Sequence, residues 1–257
     1  IPLATIKKFS PASTFKLFTL VAALEDGIPL STTLPGGTSY TSQKYDNPPG
    51  GYHNAEGLSA SNISIAKATE MSINTAYVQL EERVGIPAVA DAAKRLGITS
   101  IGEPGTSAYP GKKEGTFTLG VRDVSVTDMA GAYAAVAAHG RWCPPTLVKS
   151  VRLPSGVVIN NPVEQRCRQA IDPAVADTAA SVLKGVVDTG TGRPAALPGR
   201  PSAGKTGTGE DNGSAWFAGF TPQLAAAVWT GDPRSPKYTL HGVMGYETVY
   251  GSTLPAN

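Results

Sequence analysis

Apolar residues recur at spacings of three and four along several stretches of the chain, which is the pattern of amphipathic helices. Proline or a small polar residue stands at the start of most of these stretches. Glycine follows the end of several of them, so both ends carry the residue types that helix termini favour. The pattern predicts helices over residues 11–26, 64–71, 75–84, 87–96, 126–139 and 173–187.

The last quarter of the chain changes to short apolar runs bounded by turn residues, which is typical of strands. These runs predict an antiparallel meander over 202–208, 215–220 and 224–229. A separate hairpin is predicted with arms at 146–152 and 157–160. We therefore expect a mostly helical part over roughly 28–170, while the two ends of the chain contribute to an α/β part.

The composition is that of a folded globular domain. Of the 257 residues, 41% are hydrophobic and 16% are charged, which is enough for a substantial core. The net charge of +2 is too small and too dispersed to indicate nucleic-acid binding. Because no apolar run approaches the length of a membrane span, we expect membrane contact only through an anchor outside this segment. No metal site and no cofactor is predicted.

The chain has two cysteines, Cys143 and Cys167, and each lies twelve residues from Ser155 in the predicted hairpin turn. A symmetric hairpin brings them close together, so we predict a disulfide between them. The alternative is a pair of unrelated buried thiols. A disulfide is typical of an oxidising compartment outside the cytoplasm.

A serine nucleophile is indicated at the start of the first predicted helix. Ser13 and Lys16 are three residues apart and share one helix face, so the amine can take the hydroxyl proton if its pKa is lowered. The Ser-x-x-Lys pattern by itself is weak, because the chain contains it four times and most such pairs are surface residues or helix caps. The other three pairs are Ser64/Lys67, Ser181/Lys184 and Ser202/Lys205.

Two further short motifs follow in the chain. Ser72 and Asn74 lie two apart at a break between helices, where both side chains can face a cleft; on its own a capping turn explains them as well. The run Lys205-Thr206-Gly207-Thr208 occupies a strand on which a substrate backbone can pair, and its amine and hydroxyls suit a carboxylate. The alternative there is a polar edge strand on which lysine prevents aggregation.

Together the three motifs resemble those of penicillin-binding proteins and serine β-lactamases. The neighbouring residues match as well: Pro11-Ala-Ser-Thr-Phe-Lys16, Glu70-Met-Ser-Ile-Asn-Thr75 and Ala215-Trp-Phe-Ala-Gly-Phe-Thr-Pro222. The chain most resembles the transpeptidase domain of bifunctional, class A enzymes of actinobacteria, because it contains Phe117-Thr-Leu-Gly-Val121, Met129-Ala-Gly-Ala-Tyr133, Gly190-Thr-Gly192, Ala227-Val-Trp-Thr-Gly231 and Gly251-Ser-Thr-Leu-Pro-Ala256. The resemblance implies an α+β fold, with a five-stranded antiparallel sheet flanked by helices beside an all-helical part and a cleft between them.

The resemblance also implies a reaction, D,D-transpeptidation of peptidoglycan stem peptides. Ser13 attacks the penultimate D-alanine, Lys16 is the base, Ser72 relays a proton to the leaving amine, and Lys205 keeps the pKa of Lys16 low. β-Lactams acylate Ser13 as substrate mimics.

Substrate-binding roles follow from the same resemblance. Asn74 bonds the substrate amide, and the strand Thr206, Gly207 and Thr208 receives the substrate, with the two threonines on its terminal carboxylate. The backbone N–H groups of Ser13 and Thr208 form the oxyanion hole. The expected location is the outer face of the cytoplasmic membrane.

The chain departs from the family pattern in three respects. Ala12 stands where a glycine is commoner. The family has two strands before the nucleophile helix and a long helix near the end, and its bifunctional members have a glycosyltransferase domain. Because this sequence shows none of these, we expect it to be a fragment of a longer protein.

Three other functions remain open from the sequence. A class A β-lactamase needs a deacylating Glu in a Glu-x-x-Leu-Asn context, and the chain contains no such stretch. A D,D-carboxypeptidase differs only in using water instead of an amine. A non-catalytic sensor of β-lactams or muropeptides is acylated but does not join stem peptides.

Overall fold

The computed structural model describes residues 3–161, 166–235 and 237–257. Its α-helices are α1 (Leu3–Ile6), α2 (Lys16–Glu25), α3 (Ile65–Glu70), α4 (Asn74–Val84), α5 (Ile86–Arg95), α6 (Val126–Ala137) and α7 (Pro173–Asp188). Its strands are β1 (Thr33–Gly36), β2 (Ser39–Tyr40), β3 (Tyr52–His53), β4 (Ala60–Ser64), β5 (Arg141–Trp142), β6 (Ser150–Arg152), β7 (Val158–Asn160), β8 (Arg168–Gln169), β9 (Ala203–Thr208), β10 (Ser214–Phe220), β11 (Ala225–Gly231), β12 (His241–Val243) and β13 (Tyr246–Thr248). The mixture of helices and antiparallel strands is the α+β class expected from the sequence.

The first predicted helix differs from the expectation. It is divided into a 3-10 turn, Ala12–Phe15, and the α-helix α2, which begins at Lys16. The division arises at Ala12, whose φ of 48° lies in the left-handed region and interrupts the helix before it can start at Pro11. Ser13 therefore lies in the 3-10 turn and not in the α-helix.

The main sheet has the strand order β11-β10-β9 and is antiparallel throughout. In its register Trp216 pairs with Gly207 on one side and with Trp229 on the other. Trp216 is fully buried and donates its ring N–H to Ser10 O at 2.8 Å. Because Ser10 lies three residues before the predicted nucleophile, this bond fixes the 3-10 turn against the sheet.

Helix α2 is the centre of the main core. Its side chains Phe18, Leu20 and Val21 are fully buried, and α4, α5 and α7 pack around this helix. Within the region 28–170, the helices α3 to α6 lie between residues 65 and 137, and short strand pairs occupy much of the remainder. These are β1 with β4, β2 with β3, β5 with β8 and β6 with β7.

The predicted disulfide is present between Cys143 and Cys167, with their Cα atoms 4.2 Å apart. It closes the base of the predicted hairpin, whose paired arms β6 and β7 are shorter than the sequence indicated. Both arms are exposed along their whole length. The disulfide, the turn, the ladder bonds and the Asn161 side chain, which donates to Thr146 Oγ1 and Val148 O, hold the hairpin together. Short pairing is the expected result for a hairpin with exposed arms.

A membrane-spanning helix needs about 20 apolar residues. The longest helix in the described part of the chain, α7, has 16 residues. None of the described helices is long and apolar enough to cross a membrane.

Candidate active site

The turn that carries Ser13 is held by its own backbone and by one threonine. Thr14 donates to Pro11 O twice, through its N–H at 3.3 Å and its hydroxyl at 2.7 Å. In a 3-10 turn, residues three apart lie directly above one another. Ser13, which is half-buried, and Lys16, which is fully buried, therefore lie on the same side.

The unusual backbone of Ala12 explains why glycine is commoner at this position. A residue with a Cβ atom is strained at φ 48°, whereas glycine adopts that conformation freely. The segment cannot relax away from this strain, because Gly120 packs directly on the Ala12 backbone and Ser10 donates its hydroxyl to Gly120 O at 2.7 Å. A side chain at Gly120 would collide with Ala12.

The Lys16 amine joins the first motif to the second. Its Nζ lies 2.7 Å from Ser72 O, 3.2 Å from Ser72 Oγ and 2.7 Å from Asn74 Oδ1. Ser72 has a left-handed φ of 58°, a conformation found between α3 and α4 that turns its carbonyl and hydroxyl toward the same amine. Backbone strain of this kind is concentrated at functional sites.

Asn74 is the first residue of α4, yet its side chain does not cap that helix. Instead Asn54, on the loop after β3, accepts from Thr75 N–H at 3.0 Å and so supplies the cap from a distance. The Asn74 amide is thereby released to bond Lys16 through its oxygen and His53 O, at 2.8 Å, through its nitrogen. The capping interpretation of Asn74 is wrong for this reason.

The two buried lysines lie in a setting that disfavours their charged forms. Burial, together with the positive charge of Lys205, holds the pKa of Lys16 well below its usual range. Burial alone lowers the pKa of Lys205 to about 7. Both shifts favour the neutral amine, which is the form of lysine that can accept a proton.

The third motif lies against the Ser13 turn because residue 207 is glycine. A Cβ atom at Gly207 would lie 2.8 Å from Pro11 O and 3.2 Å from Thr14 N, so any side chain would push the strand away. Lys205, on the same face, is completely buried and donates to Thr206 O at 3.1 Å. β9 is an edge strand of the described sheet, which leaves one side of its backbone open for pairing.

The two threonines of the third motif have different partners. The hydroxyls of Thr206 and Thr191 lie 2.6 Å apart. Thr208 Oγ1 accepts from Gly251 N–H at 3.2 Å. Neither hydroxyl bonds to a charged group within the described chain.

The structure thus brings the three motifs together, although they are far apart in the sequence. Lys16, Ser72 and Asn74 are joined by direct hydrogen bonds, Lys205 is close enough to affect the pKa of Lys16, and β9 contacts the turn that bears Ser13. Among the described residues, no group of three or more His, Cys, Asp or Glu side chains is placed to hold a metal ion.

Sequence reasoning missed three residues around this site. Asn54 caps α4, Tyr77 places its ring 5.2 Å below Lys16 Nζ, and Thr191 bonds Thr206. For Thr191 a signal existed, since glycines flank it on both sides and indicate a close backbone approach. Asn54 and Tyr77 carry no local signal, because both act on segments that are distant in the chain.

The chain is similar to known proteins over most of its length. The family profile of the penicillin binding protein transpeptidase domain matches residues 3–237. Penicillin-binding protein 1A of Mycobacterium tuberculosis is 36% identical over 270 residues, covering 95% of this chain and 30% of that protein. Penicillin-binding protein 1A of Mycolicibacterium smegmatis is 35% identical over 262 residues, covering 95% of this chain and 32% of that protein.

Solved structures are similar over nearly the whole chain. PonA1 from Mycobacterium tuberculosis in complex with penicillin V is 34% identical with a TM-score of 0.85, covering 100% of this chain and 68% of that one. The imipenem acyl-enzyme complex of penicillin-binding protein A from the same organism is 25% identical with a TM-score of 0.78, covering 93% and 58%. The resemblance and the α+β fold expected from the sequence are confirmed, but the main sheet in the described part of the chain has three strands and not the five that the resemblance implied. The chain belongs to the penicillin-binding protein transpeptidase domain family.

Proposed function

We propose that this domain is a serine D,D-transpeptidase, which cross-links peptidoglycan stem peptides and is acylated by β-lactams. The observation that carries the proposal is the environment of Lys16: its buried amine bonds Ser72 and Asn74, and burial and Lys205 hold its pKa well below the usual range. A neutral amine beside a serine hydroxyl is the base that a serine nucleophile requires. The relatives solved with penicillin V and as an imipenem acyl-enzyme support the same assignment.

In the acylation step, Ser13 Oγ attacks the carbonyl carbon of the penultimate D-alanine and Lys16 takes the hydroxyl proton. An ester bond forms at that carbon while the amide bond to the terminal D-alanine breaks. Lys16 passes that proton to the Ser72 hydroxyl, which lies 3.2 Å from its Nζ, while Ser72 gives its own proton to the departing amine. The products are an acyl-enzyme and free D-alanine, and Lys16 is neutral again.

Binding of the donor peptide uses β9 and α4. The peptide pairs with the open edge of β9 at Gly207, and its amide contacts Asn74. Its terminal carboxylate accepts hydrogen bonds from the hydroxyls of Thr206 and Thr208. The backbone N–H groups of Ser13 and Thr208 stabilise the oxyanion, for which one donor typically contributes about 3 kcal/mol.

In the second step, an amine of another stem peptide attacks the ester and regenerates Ser13, which forms the cross-link. The disulfide between Cys143 and Cys167 favours an oxidising compartment, so we place the domain at the outer face of the cytoplasmic membrane. Attachment to that membrane is through an anchor outside this segment.

Labelling with fluorescent penicillin tests the nucleophile. We expect the wild-type chain to be labelled and Ser13→Ala to be unlabelled. Ser181→Ala is the matched control, because it removes the same hydroxyl from another Ser-x-x-Lys pair, and it should be labelled like the wild type. Labelling of Ser13→Ala would assign the nucleophile to another serine and reject the proposal.

Incubation with a donor stem peptide and an acceptor amine distinguishes the related activities. A transpeptidase yields the joined peptide and free D-alanine, and its penicillin adduct persists in intact-mass spectra. Hydrolysed donor without joined product would identify a carboxypeptidase. Loss of the penicillin adduct within seconds would identify a β-lactamase, and a stable adduct without any peptide product would identify a sensor.

A further inference from the structure

Thr191, in the loop after α7, contacts the second and the third motif at the same time. Its N–H donates to Glu70 O at 3.1 Å, and Glu70 lies two residues before Ser72. Its hydroxyl lies 2.6 Å from the hydroxyl of Thr206 on β9. One residue thus connects the Ser72 loop to the strand that carries Lys205.

The backbone around Thr191 is placed tightly. A side chain at Gly190 would collide with Glu70 O, and Gly192 N–H donates to Val186 O at 2.9 Å. The Thr189 hydroxyl donates to Glu70 Oε2 at 3.2 Å, which adds a second link to Glu70. With its backbone held on both sides, Thr191 presents its hydroxyl to Thr206 in a fixed position.

The neighbouring threonine of β9 shows what such a contact does. Thr208 Oγ1 accepts from Gly251 N–H, which can only donate, so the proton of the Thr208 hydroxyl is left for another acceptor. Within the described part of the chain no backbone N–H donates to the Thr206 hydroxyl, which instead lies 2.6 Å from the hydroxyl of Thr191. If Thr191 donates, the hydroxyls of Thr206 and Thr208 each accept one hydrogen bond from the protein. The proton of each hydroxyl is then available to the substrate.

We propose that Thr191 is a positioning residue: its hydroxyl donates a hydrogen bond to the Thr206 hydroxyl, so that the Thr206 proton is directed to the substrate carboxylate. The Thr191 backbone also holds β9 at a set distance from the Ser72 loop. The inference rests on the proposed function, in which Thr206 binds that carboxylate. A chain of two hydroxyls ending on a carboxylate is strengthened along its length, because each bond polarises the next.

The test is the acylation kinetics of Thr191→Val and Thr191→Ser with benzylpenicillin, whose carboxylate stands for that of the peptide. Valine keeps the shape of the side chain and the backbone N–H but removes the hydroxyl. We expect the second-order acylation constant to fall about tenfold because penicillin binds more weakly, as for loss of one hydrogen bond near a charge. Serine keeps the hydroxyl and should stay within about threefold of the wild type. Thr178→Val, at a half-buried position of α7, is the matched control, since its hydroxyl donates to Ala174 O of the same helix.

A double-mutant cycle with Thr206→Val separates positioning from a general structural effect. If Thr191 acts through Thr206, Thr191→Val should add less than about twofold to the loss in Thr206→Val. Additive losses, or wild-type kinetics in Thr191→Val, would reject the inference. Acylation of the wild type at a residue other than Ser13 would instead reject the proposed function, so the two failures are distinguishable.

Discussion

The sequence Ala-Ser-x-x-Lys occurs twice in this chain, at residues 12–16 and at 180–184, and the two copies lie in opposite environments. Lys16 is fully buried and bonded to the second motif. The side chain of Lys184 is 51% exposed and pairs with Asp188 on the solvent face of α7. The spacing places serine and lysine on one side in both copies.

The difference arises from what other segments bring to each copy. Around residues 12–16 the Ser72 loop, Asn74 and β9 close over the amine, whereas at 180–184 the helix faces solvent. The backbone differs too, since Ala12 is left-handed and Ala180 is inside α7. The spacing supplies proximity, but only burial and a second cation lower the pKa of the lysine.

Replacing each lysine with methionine gives the largest expected contrast. Lys16→Met removes the proposed base, and the acylation rate with fluorescent penicillin should fall by about 10²–10⁴, the usual contribution of a general base. Lys184→Met should leave that rate unchanged, because it removes only an exposed pair that contributes about 0.3–0.5 kcal/mol to stability.

Stopped-flow acylation together with thermal melting checks both variants. The melting curve of Lys16→Met is the necessary control, since methionine at a buried position should not unfold the chain. Equal rates in the two variants would show that the buried environment of Lys16 has no catalytic role.

The charge of Lys205 sharpens the comparison further. Because this charge lowers the pKa of Lys16, its removal in Lys205→Met should raise that pKa. The base is active when neutral, so the rising limb of the acylation pH profile should move to higher pH in the variant. Lys205→Arg keeps a positive charge and should keep the limb nearer to its wild-type position.

Acylation rates measured across the pH range check this prediction. If the rising limb of the pH profile stays at the same pH in Lys205→Met, burial alone sets the pKa of Lys16. A shift to lower pH would contradict the electrostatic account altogether.

A third Ser-x-x-Lys pair has a purely structural role. Ser64 caps α3, since its hydroxyl accepts from Lys67 N–H at 3.2 Å, and Lys67 pairs with Glu70. Ser64→Ala should therefore lower the free energy of unfolding by about 1 kcal/mol, a typical cost for loss of an N-cap, with acylation unchanged. Denaturant unfolding measures the loss, and a large effect on acylation would mean that the cap also supports the Ser72 loop.

The parts of the fold that depend on local pattern were predictable from the sequence. Most of the longer helices, the three-strand meander and the disulfide follow from period, turn residues and spacing. The strands over 33–64 were not predicted, because glycine and proline break up much of this stretch and β4, Ala60–Ser64, is mostly polar. The cap from Asn54 and the contact of Thr191 with Thr206 join segments distant in the sequence, so no local pattern encodes them.

The smallest effect we predict concerns the alanine that precedes the serine in each copy. A glycine at Ala12 relieves the left-handed strain, which costs about 1–2 kcal/mol. It also adds flexibility to the unfolded chain, which offsets part of that gain. Ala12→Gly should therefore raise the free energy of unfolding by a few tenths to about 1 kcal/mol. Ala180→Gly, inside α7, should lower it by about 1 kcal/mol, because glycine is unfavourable within a helix. Denaturant unfolding measures the change in the free energy of unfolding for both variants. A change of the same sign in both would show that the backbone at Ala12 is not strained.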